Sequence, residues 1–230
     1  MLNTFVDIFV GPVAAYQRLR ERARFWIAFA LIVLGSVALN YAYFALVDPE
    51  FLVEEFIAQA GPDLSNEEER GIREFASNRG AGGLLPALGS GASIIVFMLL
   101  HAGYYSLISM FSGHGIRYGQ WLGLVCWSSL PVLLVIIAGF VALMIAPGYE
   151  LPLNKLNPLS IANLLNMEIT RESGAARVFS QLDISQIWTV VLLTIGYRVW
   201  TASGLAKSVA VAIGPYLLIY GIGIAFVVFS

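Results

Sequence analysis

One charged residue, Arg198, stands in the middle of a long apolar stretch near the C-terminus. The stretch reads IWTVVLLTIGYRVWTASGLAK over residues 187–207. Three interpretations are open: the side chain extends to the lipid head groups, it forms a buried pair with Tyr104 or His101, or it serves a transport site. A helix that starts near Asp183 carries Arg198 about 22 Å along its axis, which favours the first interpretation.

Residues that usually carry catalysis or bind metals are sparse. The chain has two histidines, His101 and His114, and a single cysteine, Cys126. It contains no HExxH, GxSxG, Walker A or GxGxxG motif. None of the 15 Asp and Glu residues falls deep in a predicted span, which argues against a proton-coupled carrier. We therefore expect no enzymatic activity, no cofactor and no metal site, and for His101 a hydrogen bond between helices rather than chemistry.

The composition places the chain in a membrane. Of 230 residues, 58% are hydrophobic and 12% are charged, and the mean hydropathy is +0.78. A hydrocarbon core of about 30 Å requires roughly 20 mostly apolar residues per helix. We expect one all-α integral membrane domain, a bundle of five transmembrane helices with short amphipathic helices at the membrane surfaces. The five predicted spans are residues 25–47, 85–111, 121–146, 184–202 and 208–229.

Basic residues near the ends of these spans predict the orientation. Short loops rich in Lys and Arg stay in the cytoplasm, and the turns that carry Arg117 and Lys207 fall on the same side as the N-terminus. Loops 48–84 and 147–183 and the C-terminus are then outside. Residues 1–24 are expected to form an interfacial segment that binds anionic lipid at the cytoplasmic face or simply anchors the topology. Four arginines precede the first span: Arg18, Arg20, Arg22 and Arg24.

The outside loops contain helix start signals. Asp48-Pro49 and the capping box from Ser65 to Glu68 predict two short acidic amphipathic helices that either carry a solvated face or meet a partner. Asn157-Pro158 predicts a further short helix, and Asp183 predicts the cap of the fourth span. The run RGAGGLLPALGSGAS, which precedes and enters the second span, is interpreted as a flexible hinge.

Prolines and small residues predict how the spans pack. Pro131 and Pro215 lie inside the third and fifth spans, where kinks at comparable depth would frame a cavity. Gly103-Tyr104 and Gly196-Tyr197 suggest a faint parallel repeat. Small-residue patterns favour close helix contacts, within the chain or with another chain. They comprise Gly119 and Gly123, the series Ala206, Ala210 and Gly214, and the pair Gly221 and Ala225.

Several segments together resemble the Yip1 domain family. They are FVGPVAAYQRLRERARFW, WLGLVCWSSLPVLL, LNPLSIANLL, QLDISQIWTVVLLTIGYRVWTASGLAK and GPYLL. The resemblance implies a five-helix bundle with a cytoplasmic N-terminus and transfers no catalytic residues. Eukaryotic members carry a longer N-terminal region and act with Rab-type GTPases, so this chain looks like the bacterial branch, and Rab binding is not carried over. The resemblance points to six residues that shape the bundle: Gly196, Tyr197, Arg198, Lys207, Pro131 and Pro215.

Two functions fit these observations. Some bacterial members of the family are similar to accessory subunits of ABC-type exporters. The first hypothesis is therefore a non-enzymatic protein of the bacterial inner membrane that acts as accessory, assembly or scaffold subunit for another membrane protein or transporter complex. The second is a channel or lipid-handling transporter with a cavity between the proline-kinked helices. The scattered basic residues and a net charge of −2 indicate no nucleic-acid partner. The oligomeric state stays open.

Overall fold

The computed structural model describes residues 2–21, 24–61, 64–167 and 174–229; for residues 2–3, 79–81, 174–175 and 222–229 it describes the backbone alone. The described residues form α-helices and short 3-10 turns, with no β-strand, so the all-α prediction is confirmed. The helices are α1 (Leu2–Val10), α2 (Pro12–Glu21), α3 (Trp26–Leu46), α4 (Pro49–Ala60), α5 (Asn66–Ser77), α6 (Arg79–Ser112), α7 (Tyr118–Ser128), α8 (Val132–Ile145), α9 (Ile161–Leu164), α10 (Gly174–Gln181), α11 (Ile184–Thr201) and α12 (Leu205–Phe229).

The chain divides into two compact units. The first unit consists of Met1–Ile32, Ile94–Val132 and Asp183–Ser230. The second unit consists of Val33–Ser93 and Leu133–Leu182. Helices α3 and α6 contribute residues to both units, because each unit boundary near them falls inside the helix.

Two helices of the described chain are long and apolar enough to cross a membrane. They are α3, with 21 residues, and the part of α6 from Gly82 to Ser112, with 31 residues. Helices α7 and α8 make a third candidate if the pair, bent by 41°, counts as one span. Helix α11 is less apolar because Gln186 and Arg198 interrupt it, and the fully described part of α12, Leu205–Gly221, is short. The count of five spans is therefore not confirmed, and α11 and α12 remain predicted spans.

The two prolines that were predicted to kink helices act differently. At Pro131 the helix is broken, with α7 ending at Ser128 and α8 starting at Val132. The break is held by a bond from the Val132 N–H to the Ser129 carbonyl at 3.1 Å, because a proline has no N–H to continue the helical ladder. At Pro215, by contrast, α12 runs on as one helix.

The predicted start signals of α4, α5 and α11 are confirmed. A carboxylate oxygen of Asp48 accepts from the backbone N–H of Glu50 at 2.9 Å. Ser65 and Glu68 form the reciprocal capping box. Asp183 accepts from the backbone N–H of Gln186 at 3.1 Å. Each bond satisfies an N–H that the first turn of a helix leaves without a partner, so these helices begin where the sequence predicts.

The glycine-rich run before the second span is helix, not a hinge. Helix α6 starts at Arg79 and includes Pro86. A Cβ added at Gly82 would lie 2.5 Å from the Phe75 carbonyl oxygen, and one added at Gly91 would lie 2.6 Å from Val37 Cγ2. The prediction was wrong because these glycines are needed for close approach of α6 to α5 and α3, whereas composition alone suggested flexibility.

The loop after α8 is held by side chains of the second unit. The Tyr43 hydroxyl donates to the carbonyl of Leu151 at 2.9 Å. The short helix α9 is capped by Ser160, whose hydroxyl accepts from the Asn163 N–H at 3.3 Å. The sequence predicted Asn157 as the N-cap of this helix. The observed N-cap is Ser160, three residues later, so the predicted start was too early.

Candidate functional site

Helix α2 packs against α7 and α11 in the first unit. Tyr16 is fully buried on one face, whereas Arg18 and Arg20 are exposed. The Tyr16 hydroxyl lies 2.6 Å from the Ser128 hydroxyl, and the indole N–H of Trp200 donates to the Tyr16 carbonyl at 2.8 Å. Burial raises the pKa of the Tyr16 hydroxyl above its ordinary value, and the bond to Ser128 opposes this shift. The hydroxyl stays protonated and acts as a fixed contact between helices.

Helix α7 also holds the segment that follows α2. The Gln120 amide donates to the carbonyl of Arg20 at 2.9 Å. The Trp127 indole N–H donates to the carbonyl of Arg24, also at 2.9 Å. These bonds use the backbone of the arginine segment and leave the side chains of Arg18, Arg20 and Arg24 exposed. Among these three described arginines, only Arg18 forms an ion pair, with Asp7. Arg22 lies outside the described residues.

A run of stacked rings joins α6, α7 and α11. His101 stacks on Tyr105 with ring centroids 5.5 Å apart. Tyr105 stacks on Trp121 at 5.3 Å, and Trp121 stacks on Tyr197 at 5.8 Å. We call these four residues, all buried, the aromatic column. Stacked aromatic pairs stabilise beyond their burial, so the column fixes three helices against one another.

Buried polar atoms of the column lack hydrogen-bond partners in the described part of the chain. They include both ring nitrogens of His101, the hydroxyl of Tyr105 and the indole N–H of Trp121. The predicted interhelical hydrogen bond of His101 is therefore absent among these residues, because aromatic rings surround its imidazole. A buried polar atom without a partner costs about 1–3 kcal/mol. The column thus offers donors and acceptors to a polar molecule, with no carboxylate hydrogen-bonded to His101 in the described chain.

Only one glycine of the two Gly-Tyr pairs is closely packed. A Cβ added at Gly196 would lie 2.5 Å from Leu124 Cδ1 and 3.0 Å from Tyr16 Cε1. A Cβ added at Gly103 would meet nothing within 4 Å. Gly196 is therefore required where α11 meets α2 and α7, and the two halves of the suggested repeat have different surroundings.

Arg198 lies in the last turn of α11 with an exposed side chain. In the described chain it forms no hydrogen bond or ion pair with His101 or Tyr104, so the structure excludes that buried pair. Its carbonyl accepts from the N–H of Ala202, which adopts a left-handed conformation and ends the helix. Lys207, at the start of α12, is also exposed. The head-group interpretation of Arg198 remains a prediction.

Most of the predicted small-residue contacts have no neighbour within the described chain. Ala206 and Ala210 are exposed, and a Cβ at Gly119 or Gly221 would meet nothing within 4 Å. Gly123 is buried in α7. Gly214 contacts the ring of Tyr104, and the side-chain position of Ala225 lies outside the described residues. Among the described small residues of α12, Gly214 therefore packs on α6 within the chain, whereas Ala206, Ala210 and Gly221 are exposed.

Only half of the aromatic column was among the predicted site residues. His101 and Tyr197 were predicted, whereas Tyr105 and Trp121 were not. A local signal existed, because His101 and Tyr105 are spaced i and i+4 and therefore lie on one helix face. Nothing local connects that face to Trp121, which belongs to another helix.

The comparison with family models gives one finding. The model of the Yip1 domain matches residues 6–227, nearly the whole chain. Comparisons with curated proteins and with solved structures found no match. The matched range contains the Tyr16 contacts, the aromatic column and α11, which carry the packing of the first unit. The chain therefore belongs to the Yip1 domain family.

Proposed function

We propose that this Yip1-family chain is a non-enzymatic subunit that assists another membrane protein, such as an ABC-type exporter, as an accessory, assembly or scaffold component. The family match and the apolar helices support a membrane protein of this family. We further propose that the chain lies in the bacterial inner membrane, with its N-terminus in the cytoplasm and its C-terminus outside. Its proposed partner is another membrane protein. Exposed Arg18 and Arg20 support contact of the cytoplasmic face with anionic lipid.

The observation that carries the proposal is the open small-residue face of α12. Ala206, Ala210 and Gly221 are exposed and lie on one side of the helix, because steps of four and eleven residues return to nearly the same angle. Gly214 lies on the same side and packs on Tyr104, so the open parts of the face are its two ends. Lipid chains accommodate any apolar surface, whereas close approach of a second helix requires small residues. This face therefore favours a transmembrane helix of a partner.

The chemistry of the first unit supports a non-enzymatic role. General acid–base catalysis needs a titratable group within hydrogen-bond reach of a second polar group or of substrate. His101 is packed among Phe97, Tyr105 and Tyr216 instead. The stacked rings of the column pack three helices against one another, which is a structural role.

Purification from the native membrane tests the proposal. The tagged protein is extracted in mild detergent at its normal expression level, and the proteins that remain bound are identified by mass spectrometry. We expect a stoichiometric membrane protein that is lost from the double variant Ala206→Leu, Ala210→Leu. Ala92→Leu, at an exposed alanine of α6, is the matched control and should retain it. Recovery of the wild-type chain without any membrane-protein partner would refute the proposal.

A lipid-handling transporter or channel is the second candidate. The 41° break between α7 and α8 favours it, because broken helices are common at transport sites. Reconstitution in liposomes that contain fluorescent lipid and an entrapped ion indicator tests this candidate. Lipid flip and ion flux at the rates of protein-free liposomes would exclude it.

A further inference from the structure

An open groove lies beside the C-terminal end of α8 in the second unit. Its volume is about 500 Å³, within the usual range for small-ligand sites. One wall is apolar and includes Ile145 and Ala146, where the predicted third span ends. The rest of the lining belongs to the following loop and includes Glu150, Lys155 and Asn163. The groove thus combines apolar residues with one negative and one positive side chain.

The loop that carries these charges is fixed by the rest of the second unit. The Glu55 carboxylate accepts from the Leu153 N–H at 3.1 Å. The Asn163 amide donates to the carbonyls of Asn154 at 2.7 Å and Asn157 at 2.9 Å. These bonds lie on either side of Lys155 along the chain and hold its backbone in place. A site that is ordered before binding loses less entropy when a ligand arrives.

The two charged side chains on this fixed loop are themselves unpaired. Glu150 and Lys155 are exposed, and neither forms an ion pair or side-chain hydrogen bond within the described residues. Two opposite charges that line one groove without pairing with each other fit a zwitterionic ligand, in which a cationic group and an anionic group are separated from each other. A ligand with a single charge would leave one of them unused.

The apolar wall indicates what kind of molecule carries those charges. Ile145, which lines the groove at the end of α8, is 74% exposed, and its chain neighbour Met144, outside the lining, is 53% exposed. A helix that crosses a membrane presents such residues to lipid chains, and its end lies at the head groups. The groove therefore lies where hydrocarbon gives way to polar head groups, if α7 and α8 cross the membrane as the sequence predicts.

The geometry points to a binding site for phosphatidylethanolamine in this groove. The primary ammonium donates to the Glu150 carboxylate, Lys155 binds the phosphate, and the acyl chains follow the exposed face of α8 around Ile145. A choline head group has no N–H to donate, so its cation stays farther from the carboxylate. A phosphatidylglycerol head group carries no cation for Glu150. This inference depends on membrane insertion of α8 and not on the accessory role proposed above.

Native mass spectrometry of the full chain in lipid mixtures tests the site. The purified protein is exchanged into detergent with equal amounts of phosphatidylethanolamine, its N-methyl and N,N-dimethyl forms and phosphatidylcholine, and retained lipid is counted. We expect retention to fall along this series, by about tenfold from first to last. Equal retention of the four lipids would overturn the proposal.

Three variants separate the two halves of the head group. Glu150→Gln should weaken the preference for ethanolamine over choline, because it removes the charge that strengthens the hydrogen bond from the primary ammonium. Lys155→Gln should lower retention of all four lipids alike, because they share the phosphate. Glu54→Gln, at an exposed position outside the groove, should behave as wild type. An unchanged preference in Glu150→Gln, or an equal loss in Glu54→Gln, would contradict the assignment; thermal unfolding verifies that each variant is folded.

Discussion

The indole N–H of Trp200 donates to the backbone carbonyl of Tyr16 at 2.8 Å and joins residues 184 positions apart. Tyr16 in turn contacts Ser128 of α7 through its hydroxyl. One tyrosine therefore connects three helices of the first unit, and the stability of that unit should depend on it.

Trp200→Phe should lower the free energy of unfolding by about 1–3 kcal/mol, because it leaves the buried Tyr16 carbonyl without its donor. Thermal unfolding in detergent, followed by tryptophan-independent light scattering or circular dichroism, measures the change. Trp26→Phe is the matched control, since Trp26 is 67% exposed and Trp200 is 2% exposed. Equal melting temperatures for the two variants would show that the bond contributes nothing.

Gly196→Ala should destabilise the protein by about 1–3 kcal/mol, because the added methyl group meets Leu124 and the fixed ring of Tyr16. Gly103→Ala, in the other Gly-Tyr pair, has open space and should be neutral or stabilising, since alanine favours helix over glycine. Chemical denaturation of both variants in one detergent provides the comparison. A destabilised Gly103→Ala with an unaffected Gly196→Ala would reverse the assignment of the packed pair.

Stability should depend on pH through Glu55. Burial raises the pKa of this carboxyl above its ordinary value, and hydrogen bonds from Leu153 and Gln59 oppose the shift. The folded state then binds the proton more tightly than the unfolded state. Stability is therefore highest below the ordinary glutamate pKa and falls as the pH rises through the raised pKa of the folded state.

Glu55→Gln keeps an oxygen that accepts from the Leu153 N–H and removes the charge. We expect the variant to lose this pH dependence and to gain stability relative to wild type near neutral pH. Melting temperatures over a pH series measure both effects, with Glu54→Gln as control for removal of an exposed charge. A wild-type protein whose stability rises with pH in this window would contradict the direction.

Cysteine labelling in intact cells should decide between three and five spans. Cys126 is fully buried and provides a silent background. With five spans and a cytoplasmic N-terminus, Glu67→Cys reacts with an impermeant maleimide from outside, and Gly204→Cys reacts only after the membrane is permeabilised. If α11 and α12 do not cross, both positions react from outside. Labelling of Gly204→Cys alone would reverse the predicted orientation.

Local chemistry explains which features could be predicted from the sequence. The caps at Asp48, Ser65 and Asp183 bind backbone N–H groups at most three positions away, so a short stretch of sequence is enough to identify each of them. Helix α3 could also be predicted, because its apolar run of 21 residues has the length that crosses a membrane once. Helix ends and types followed from such short-range rules.

The contacts that make the site depend on distant residues and had no sequence signal. Tyr16 meets Ser128 and Trp200 across 112 and 184 positions. Glu55 belongs to the first of the two predicted acidic helices, yet its carboxylate accepts from the backbone N–H of Leu153, 98 positions away. The glycines of α6 were mistaken for a hinge because composition does not distinguish flexibility from close packing.

The connection from Trp200 to Tyr16 also constrains the order of assembly during synthesis. The ribosome makes α2 before α11, and at about 5–20 residues per second the two residues are separated by about 10–40 s. Ser128 is made 112 residues after Tyr16 and Trp200 is made 184 residues after it. Until then the apolar face of α2 lacks these partners, and the membrane surface is the apolar environment beside it. Helix α2 would then bind the membrane surface while the chain is being made and pack against α7 and α11 in the finished protein.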